Sequence, residues 1–598
     1  MCTICQLGGY SSSNHSNGAE YGSGSFAALK AIGVLGAIEK LSTSWSHEAS
    51  PSPISWGGST INYRILGSAI GGPEAGGFEA MSAVKAAVAR NAFELWDDLI
   101  KSNIQEGQGG ITIGQSGTTS GGGTYTSYEF QYDGISGGHD RFTKAAIWLN
   151  TGWSTQNDDG DFAYGSYGTM TYMHEIGHAL GLSHPGKYNA ANGSQITYQG
   201  SASYAEDTRQ FSLMSYFDAG SDGSATNHRG ADGEMNYAQT PMLYDIAAIQ
   251  KLYGADMTTR SGDTTYGFGA VGFAGHEEVF DFTRNAEPIL TIWDGGGKDM
   301  LDVSGFSNNS VIDLGEGTWS SVAGMVNNIA IAFGATIENA RGGAAGETIY
   351  GNAAANQLFG GAGADRLYGH DGDDVLFGGN DDAADYLEGG NGNDQLFAGA
   401  GDDELHGGAG NDFLGGGTGS DKVWGDDGND TIFGGAVPGD DHLDGGAGDD
   451  VVWAGGGNDA LYGQDGNDLL GAASGDDLVD AGNGNDTLYG GAGNDTLRAG
   501  AGADMVYGGA GDDLVDLGGN DGAVDTFVFA PGQGSDTITG FEIGKDDIDL
   551  TAFDLDVGAI MGKLANVAEG VLLTLADDAK LLFAGLTVDK LSAGDFIA

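Results

Sequence analysis

The segment HEIGHALGLSH occupies residues 174–184 and decides how the first half of the chain is built. On a helix, His174 and His178 stand at positions i and i+4, so both imidazoles project from one face toward a single metal ion. Glu175 follows the first histidine, where its carboxylate can reach a water beside that ion. The pattern predicts a helix that carries two metal ligands and a general base.

The end of this segment predicts a third ligand. Gly181 can adopt the left-handed conformation that ends a helix, and the chain then turns so that His184 approaches the same ion. Three neutral nitrogen ligands with one open position are typical of a catalytic zinc site rather than a closed structural one. We therefore expect one catalytic zinc ion, on a helix that begins near Gly168 or Thr169.

Hydrophobic patterns predict the elements around this helix. Apolar residues at helical spacing predict helices over 26–45 and 78–104, and short apolar runs predict strands at 61–66, 111–113 and 145–150, the last two separated by glycine-rich loops. This mixture predicts an α+β unit.

A nine-residue period dominates the second half of the chain. The segment GGAGADRLY, residues 360–368, has the form G-G-x-G-x-D-x-U-x, in which U is apolar. The glycines permit a tight turn, the aspartate supplies a carboxylate, and x-U-x is a short strand with its apolar side chain inward. Two units make one coil, so the pattern predicts an all-β parallel β-roll whose turns share several structural calcium ions. Two longer units, ending at Glu388 and Asp444, are expected to bulge outward.

The motif aspartates are the calcium ligands that this period predicts. Those in units of ordinary length are Asp365, Asp374, Asp394, Asp403, Asp412, Asp421, Asp430, Asp450, Asp459, Asp468, Asp477, Asp486, Asp495, Asp504 and Asp513.

The composition is strongly acidic, with 84 Asp and Glu against 23 Lys and Arg and a formal net charge of −61. Between Gly343 and Asp525 the only basic residues are Arg366, Lys422 and Arg498. Such a surface repels nucleic acid and anionic membranes, which argues against both as partners. No apolar run reaches the length of a membrane span. Bound calcium would relieve the repulsion among the carboxylates.

Further segments make a family resemblance specific. YAEDTRQFSLMSY at 204–216 and DIAAIQKLYG at 245–254, together with residues 174–189, resemble the serralysin branch of the metzincin zinc peptidases. The resemblance runs from about residue 45 into the calcium-binding repeats. It implies an α+β metzincin catalytic domain followed by the parallel β-roll. It also implies a zinc-dependent endopeptidase that hydrolyses peptide bonds of extracellular proteins, with Glu175 as the general base.

The resemblance implies roles for residues outside the histidine motif. Met214 would lie in a tight turn beneath the metal, and Tyr216 would be a switchable fifth zinc ligand that assists catalysis. The strand at 145–150 would be the edge that pairs with the backbone of a peptide substrate. An ordinary half-buried strand accounts for the same residue pattern.

The resemblance also places calcium ligands ahead of the repeats. They would be main-chain oxygens and carboxylates of two segments, with a neighbouring second site: Arg260, Gly262, Thr264, Asp294, Gly296, Gly297, Asp299, Thr336 and Glu338. The alternative for these segments is a set of polar turns between strands.

These patterns divide the chain into five parts. We expect a leader or propeptide at 1–25, a zinc metallopeptidase domain at 26–258 and a β-rich connecting region with calcium sites at 259–341. The nonapeptide-repeat β-roll would occupy 342–525, and a C-terminal cap with a type I secretion signal would occupy 526–598.

The chain ends suggest a route of export. The N-terminus lacks the basic region and apolar core of a secretory signal peptide, whereas GDFIA at 594–598 resembles the uncleaved signal of type I secretion. We therefore expect a monomer, exported by type I secretion machinery, that acts outside the cell on protein and peptide substrates. Cys2 and Cys5 are the only cysteines, and one hypothesis is that a thiolate in the open zinc position keeps the peptidase latent.

A second hypothesis is a calcium-dependent surface or adhesion protein with a vestigial peptidase domain. The length of the repeat array favours it. The complete set of catalytic residues favours the peptidase, because a purely structural domain has no need of Glu175.

Overall fold

The computed structural model describes residues 33–43, 54–68, 77–116, 124–131, 140–150, 162–163, 165–185, 197–435, 438–519 and 522–598. The chain forms two compact units, Met1–Phe306 with Ile312–Ile337 and Ser307–Val311 with Glu338–Ala598. The expected leader, with Cys2 and Cys5, lies outside the described residues. No helix in the described ranges is long and apolar enough to cross a membrane.

The elements before residue 338 are, in chain order, α1 Gly33–Thr43, β1 Ile54–Ser55, β2 Thr60–Ile65, β3 Phe78–Glu79, α2 Ala83–Asp97, β4 Asn103–Glu106, β5 Ile111–Ser116, β6 Tyr125–Gln131, β7 Asp140–Asn150, α3 Tyr167–Leu180, α4 Tyr198–Ser201, α5 Leu243–Tyr253, β8 Thr265–Gly267, α6 Glu277–Phe280, β9 Leu290–Ile292, β10 Met300–Asp302, β11 Val311–Asp313, β12 Trp319–Ser320 and β13 Ile329–Ile331.

A mixed sheet and the helices beside it form the first unit. The sheet runs in the order β1-β7-β5-β2-β4 with all of these pairs parallel, while β3 is antiparallel to β5 and β6 is antiparallel to β7. Strand β2 lies within one residue of the predicted strand at 61–66, and β5 and β7 contain the strands predicted at 111–113 and 145–150. The mixed α+β character of this unit is confirmed.

The predicted helix over 78–104 is too long. Helix α2 begins after Ser82, whose hydroxyl oxygen accepts the amide of Lys85 at 3.2 Å and caps the first turn. The helix ends at Asp97. The carboxylate of Asp97 accepts a hydrogen bond from the amide of Ile104, which fixes the start of β4 relative to the end of the helix. Ile104 is buried as a strand residue, so the apolar spacing continues past the helix and does not reveal where the helix stops.

Two helices brace α3, the helix that carries the histidine motif. Trp96 of α2 is fully buried and donates its indole N–H to the carbonyl of Met173 at 3.1 Å. Helix α1 lies inside the predicted range 26–45, the rest of which is outside the described residues. Its Leu41 carbonyl accepts the amide of Ser183 at 2.9 Å, which fixes the chain directly before the third histidine.

The elements from residue 338 onward are β14 Asn339–Arg341, β15 Thr348–Tyr350, β16 Gln357–Gly361, β17 Arg366–Asp371, β18 Val375–Gly379, β19 Tyr386–Asn391, β20 Gln395–Ala400, β21 Glu404–Ala409, β22 Phe413–Thr418, β23 Lys422–Asp427, β24 Thr431–Phe433, β25 His442–Ala447, β26 Val451–Gly456, β27 Ala460–Asp465, β28 Leu469–Ser474, β29 Leu478–Asn483, β30 Thr487–Ala492, β31 Thr496–Arg498, β32 Met505–Ala510, β33 Leu514–Asp516, β34 Thr526–Val528, β35 Gly534–Thr539, β36 Asp547–Asp549, α7 Val557–Met561, β37 Leu564–Asn566, β38 Gly570–Ala576, β39 Ala579–Ala584 and β40 Phe596–Ile597, with 3₁₀ turns at Thr551–Phe553 and Ala593–Asp595.

Two parallel ladders make the second unit a β-roll, as predicted. The even-numbered strands from β14 to β36 pair with one another, and the odd-numbered strands from β15 to β35 do the same. Paired residues are 18 positions apart, as in Leu358↔Leu376, or 20 apart where a longer unit intervenes, as in Leu367↔Leu387. Each coil therefore consists of two units. The central apolar residue of each repeat strand is fully buried and packs inside the roll.

The motif aspartates link successive coils by hydrogen bonds. The amide of Asp374 donates to Oδ1 of Asp394 at 2.7 Å, and the amide of Asp468 donates to Oδ1 of Asp486 at 2.8 Å. We call this series of amide–carboxylate bonds the aspartate ladder. It ties the turn of each coil to the turn of the next.

The aspartate ladder extends past the repeats that the sequence motif identifies. At its start the amide of Glu347 donates to Oδ1 of Asp365 at 2.6 Å, and at its end Oδ1 of Asp546 accepts the amide of Asp525 at 3.2 Å. Neither position fits the nine-residue motif, because Glu347 replaces its aspartate and Asp546 follows its partner by 21 residues. The motif alone therefore underestimates the length of the ladder.

Burial in the turns raises the pKa of the ladder carboxyl groups. It raises the pKa of Asp365 to about 8, that of Asp374 to about 7 and that of Asp394 to about 6, each from an ordinary value of 3.8. In each case the backbone hydrogen bond acts in the opposite direction, and nearby aspartates add to the rise. Without bound cations, protonation therefore favours the folded roll.

We predict that, with divalent cations chelated, the β-roll is more stable near about pH 5 than near about pH 8. The pKa values of the ladder carboxyl groups in the folded roll exceed the unfolded value of 3.8. Their protonation therefore stabilises the folded roll fully below about pH 3.8, and this stabilisation is lost as the pH rises through about 6 to about 8. The stability of the roll is measured by hydrogen exchange of the ladder amides, corrected for the intrinsic pH dependence of exchange. Amides of α2 serve as the internal control, and equal or greater protection of the ladder near about pH 8 contradicts the prediction.

Candidate metal centre

Helix α3 carries the histidine motif. The hydroxyl of Ser166 accepts the amide of Thr169 at 3.2 Å, so the helix begins at Tyr167, slightly earlier than predicted. Gly181 is the C-cap residue with φ 113°, which confirms the predicted left-handed turn. Every residue of the helix from Met170 to Leu180 is buried, which places the motif inside the unit rather than on its surface.

Three imidazoles converge at the end of this helix. Nε2 of His184 lies 3.1 Å from Nε2 of His178 and 3.2 Å from Nε2 of His174. The Nδ1 atoms of His174 and His178 lie 2.8 Å from the carbonyl oxygens of Leu213 and Leu182, so Nδ1–H donates and the Nε2 lone pairs remain for a metal. No other group of three His, Cys, Asp or Glu side chains in the described ranges has its ligand atoms within 4.8 Å of one another.

This donor set fits a zinc ion. Zinc–nitrogen bonds of about 2.0–2.1 Å in a tetrahedral arrangement place nitrogen ligands about 3.3 Å apart. The observed separations of 3.1 and 3.2 Å are close to that value. Burial lowers the pKa of His174 to about 4 and holds the pKa values of His178 and His184 well below the ordinary 6.5. The rings are therefore neutral, which is the form that binds a metal.

Glu175 is fully buried beside the three histidines. Its Oε2 accepts the hydroxyl of Thr126 at 2.6 Å, whereas its Oε1 is buried and has no hydrogen-bond partner among the described residues. Burial raises the pKa of Glu175 to about 7, and the bond from Thr126 opposes that rise. One carboxylate oxygen is thus held by the protein and the other is left for a ligand or substrate.

The sequence does not predict Thr126 as a residue of the site. It lies on β6, in a stretch that the sequence assigns to a glycine-rich loop. The run YTSYEFQ at 125–131 is rich in residues that favour strands, and this signal was sufficient to identify β6 as a strand. Its contact with Glu175, which is 49 residues away, depends on tertiary structure alone.

The prediction that the strand at 145–150 is the free edge of the sheet is wrong. It belongs to β7, which pairs with β5 from Ala145 to Asn150 and with β6 on its other side. The chain after β5 returns antiparallel to β7 and covers the edge that the sequence left open. Among the described strands β6 pairs with β7 alone, and β6 is the strand that touches Glu175.

A buried aspartate holds the turn beneath the histidines. Asp245, in the first turn of α5, accepts the hydroxyl of Ser212 at 2.6 Å and the amides of Leu213 at 2.7 Å and Met242 at 3.0 Å. The Leu213 carbonyl in turn accepts from His174. Burial raises the pKa of Asp245 to about 6, although these hydrogen bonds lower it. Asp245 therefore orients a histidine through the backbone of the turn.

The same turn places Met214 and Tyr216 around the metal centre. Met214 is fully buried, and a Cβ on Gly177 would lie 3.0 Å from its sulfur, so the methionine packs directly against α3. The Tyr216 ring is 4.5 Å from the His184 ring and 6.1 Å from the His174 ring, measured between centroids.

A family model described as peptidase M10 serralysin C terminal matches residues 255–583, more than half of the chain. The chain belongs to the peptidase M10 serralysin family. The match covers the connecting region and the β-roll, so the α+β unit followed by a parallel all-β roll is the fold that family membership leads us to expect.

Relatives extend this likeness. Metalloprotease AprA of Pseudomonas entomophila (strain L48) is 40% identical over 276 residues, 46% of this chain and 54% of the relative. Serralysin B of Dickeya chrysanthemi is 46% identical over 204 residues, 34% of this chain and 39% of the relative. Serralysin A of the same organism is 39% identical over 312 residues, 49% of this chain and 60% of the relative. The chain spans about half the length of these relatives.

Among solved structures, the extracellular lipase LipA from Serratia marcescens matches 51% of this chain and 45% of its own at 15% identity. The TM-score of 0.11 is too low for this likeness to carry an argument.

The first candidate calcium segments lie side by side in the first unit. The amide of Thr264 donates to Oδ1 of Asp299 at 2.8 Å, and the amide of Gly296 donates to Oδ1 of Asp294 at 2.8 Å. The bond between Thr264 and Asp299 joins the two segments that were predicted to form one site, and the bond between Gly296 and Asp294 lies within the second segment.

Backbone contacts reinforce this arrangement. A Cβ on Gly297 would lie 2.6 Å from the carbonyl oxygen of Gly262, so the two backbones are in close contact. Arg260 donates from Nη2 to the carbonyl of Trp293 at 2.7 Å and pairs with Asp98 through Nη1 at 2.7 Å. The two segments are therefore held together by the protein itself.

The remaining candidates ahead of the repeats, Thr336 and Glu338, lie on opposite sides of the division between the two units. The Glu338 carbonyl accepts Nδ2 of Asn356 at 2.8 Å. Calcium binding by these two residues stays a prediction.

The β-roll offers buried oxygen atoms of a kind that a hard cation prefers. While Oδ1 of each ladder aspartate accepts an amide, the second oxygen, Oδ2, is buried without a hydrogen-bond partner in most of them. The candidate ligands with this property, within the described ranges, are Asp365, Asp374, Asp394, Asp403, Asp412, Asp421, Asp430, Asp450, Asp459, Asp468, Asp477, Asp486, Asp495 and Asp513. An unsatisfied buried carboxylate oxygen is costly, so this set fits calcium.

We predict that Asp245→Ala destabilises the first unit by about 2–4 kcal/mol, because it leaves a buried hydroxyl and two buried amides without their acceptor. Thermal unfolding monitored by tryptophan fluorescence measures the change. Asp232→Ala is the matched control, since Asp232 is exposed and accepts only the nearby amide of Glu234. Equal unfolding temperatures for the two variants contradict the prediction.

Proposed function

We propose that the chain is a secreted zinc-dependent endopeptidase. The observation that carries this proposal is the convergence of three imidazoles, with Nε2 of His174 and of His178 within 3.2 Å of Nε2 of His184, beside a buried glutamate with one unpartnered oxygen. The relatives named metalloprotease and serralysin support the same activity.

His174, His178 and His184 would hold the zinc ion through Nε2. When bound, zinc supplies Lewis acidity toward a carbonyl oxygen and lowers the pKa of a water to near neutrality. Leu213 and Leu182 support the ligands, because their carbonyls fix the Nδ1–H tautomer of two histidines.

Glu175 would act as general base and then as general acid. Its Oε1 accepts a proton from the attacking water and later delivers that proton to the leaving amine. Thr126 holds Oε2 at 2.6 Å, so the carboxylate keeps one orientation while the other oxygen handles the proton. Tyr216, beside His184, would donate a hydrogen bond to the oxyanion as charge develops.

Substrate would bind as an added strand along β6. An extended peptide paired with a sheet edge presents its backbone in a fixed register and its alternate side chains to the cleft. Thr126 connects this edge to Glu175, so the scissile bond would be positioned by the same strand that positions the base. Protein and peptide substrates, rather than small esters, fit such an edge.

Calcium would stabilise the β-roll through the Oδ2 atoms of the aspartate ladder. Because calcium binds the folded roll and not the extended chain, it favours folding where its concentration is high. Export by type I secretion, acting through residues 526–598, fits this dependence, since the roll would fold only after leaving a calcium-poor interior.

We predict that Glu175→Gln lowers the hydrolysis of casein at least about a hundredfold while the zinc content, measured by atomic absorption, stays unchanged. Glutamine keeps the shape of the side chain and loses the basic oxygen. Glu79→Gln, at an exposed position on β3, is the control with full activity. A wild-type protein that cleaves no protein with zinc and calcium bound would instead favour the surface protein with a vestigial site.

We predict that Thr126→Val lowers kcat about tenfold with little change in KM, because Oε2 of Glu175 loses the hydrogen bond that orients it. Thr126→Ser keeps the hydroxyl and should restore most of kcat. Steady-state kinetics on a fluorogenic peptide distinguish the two variants. If serine and valine are equally impaired, the threonine matters for packing and not for its hydroxyl.

A further inference from the structure

The two outward faces of the β-roll differ in charge. On the even-numbered strands from β16 to β34, the outward positions on either side of the buried central residue hold only Phe, Tyr, Trp, Met, Val, Leu, Thr, Gln and Gly. We call this surface the even face. The matching positions of β17 to β33 form the odd face and include Arg366, Glu388, Lys422, Asp444 and Arg498.

The even face exposes large apolar side chains. Those exposed to between 37% and 41% are Phe377, Phe413, Phe433, Trp453, Tyr489 and Met505. On the odd face only Leu514, at 44%, reaches this exposure. With strands about 4.8 Å apart, the stripe from β16 to β34 is roughly 43 Å long. A continuous apolar stripe of this size on an acidic protein indicates an interaction surface.

The aromatic rings of the even face form an ordered array. Phe359 and Phe377 stack with centroids 5.0 Å apart and planes 6° from parallel, and Phe397 follows at 5.3 Å from Phe377. Tyr489 and Tyr507 stack at 4.7 Å and 12°. Because stacking already fixes these rotamers, a partner that covers them loses little additional side-chain entropy. Phe397, Phe413 and Phe433 continue the line with centroids 5.7 and 5.5 Å apart and planes tilted by 47° and 43°, so neighbouring rings are in contact along the stripe.

Carboxylates border this stripe on both sides. Asp373 and Asp449 lie exposed on turns that lead into even-numbered strands, and Asp402, Asp440 and Asp476 lie exposed on turns that leave them. Each accepts a backbone amide of the next coil, as Asp402 accepts the amide of Ser420 at 2.9 Å, so these rims are held in place. The three basic residues of the repeat region all lie on the odd face. The even face is thus an apolar stripe between two acidic rims.

We propose that the even face docks a cationic amphipathic polypeptide. Its apolar side chains would cover the aromatic stripe, and its lysine and arginine side chains would reach the aspartates of the rims. A second copy of the chain is disfavoured, because it would bring acidic rims together in a protein of net charge −61. Docking uses residues of the β-roll alone, so it does not depend on the proposed hydrolysis in the first unit.

The test uses the full chain loaded with calcium and a D-residue leucine–lysine amphipathic peptide of about four helical turns as the probe. Apolar and ionic contacts of this kind do not require L-residues, and the D-peptide resists hydrolysis whatever the activity of the chain. Fluorescence anisotropy reports the affinity. We expect binding that weakens with added salt, and no binding of the corresponding leucine–glutamate peptide.

A pair of matched triple variants locates the site. The even-face variant replaces three exposed aromatic residues by threonine: Phe377→Thr, Phe413→Thr and Phe433→Thr. The odd-face variant replaces three aromatic residues of the odd face in the same way: Tyr368→Thr, Trp424→Thr and Tyr462→Thr. The even-face variant should bind at least about tenfold more weakly, and the odd-face variant should stay within about twofold of the wild type. Circular dichroism with calcium checks that both retain β structure.

A single substitution, Met505→Lys, tests the same surface if the triple variant does not fold. The added cation on an exposed position should weaken binding of the cationic peptide at least about threefold. Equal affinity of the wild type and this variant, or equal weakening by both triple variants, overturns the proposal. A wild-type dimer in sedimentation that the even-face substitutions dissociate would also overturn it, because the occupant would then be a second copy.

Discussion

The bond between an aspartate carboxylate and the backbone amide of the preceding coil sets the geometry of the whole second unit. Asp374 to Asp394 and Asp468 to Asp486 are two instances of a contact that repeats from Glu347 to Asp546. Because every coil is tied to the next at the same point, central leucines align inside and aromatic residues align outside. The second oxygen of most of these carboxylates is buried without a hydrogen-bond partner, which is a free-energy cost that the proposed calcium ions would offset.

In the first unit, a buried carboxylate obtains its hydrogen bonds from the protein. Asp245 receives two hydrogen bonds from the turn at Ser212 and Leu213 and a third from the amide of Met242, so its charge is satisfied by the protein and the turn becomes rigid. The Leu213 carbonyl in turn accepts a hydrogen bond from Nδ1 of His174, so the turn fixes which nitrogen of that ring would face a metal. Neutral nitrogen donors in an apolar interior suit zinc, whereas unsatisfied carboxylate oxygens suit calcium. One chain would therefore bind two different metals at separate sites, zinc through the histidine nitrogens and calcium through the unsatisfied carboxylate oxygens.

The sequence predicts well those features of the molecule that depend on residues close to one another in the chain. The spacing of His174 and His178 and the left-handed turn at Gly181 follow from helix geometry, and the nine-residue period follows from the alternation of turn and strand. The contact of Thr126 with Glu175 joins residues far apart in the chain, and no local pattern encodes it. The strand at 145–150 was misplaced as an edge for a different reason, because β6, the strand directly before it in the chain, was not recognised as a strand. The ends of α2 were missed because Ile104 is equally buried in a strand.

The pairing distance of 18 residues has a consequence for how such a chain can change its length. Insertion or removal of a whole coil leaves every later strand in its own ladder, so a gene can grow or shrink by that increment without disturbing its neighbours. A change of a single nine-residue unit moves every later strand to the opposite ladder. The uncharged residues of the even face would then continue on the odd face beyond the point of the change. This architecture therefore tolerates duplications of paired units and does not tolerate duplications of single units.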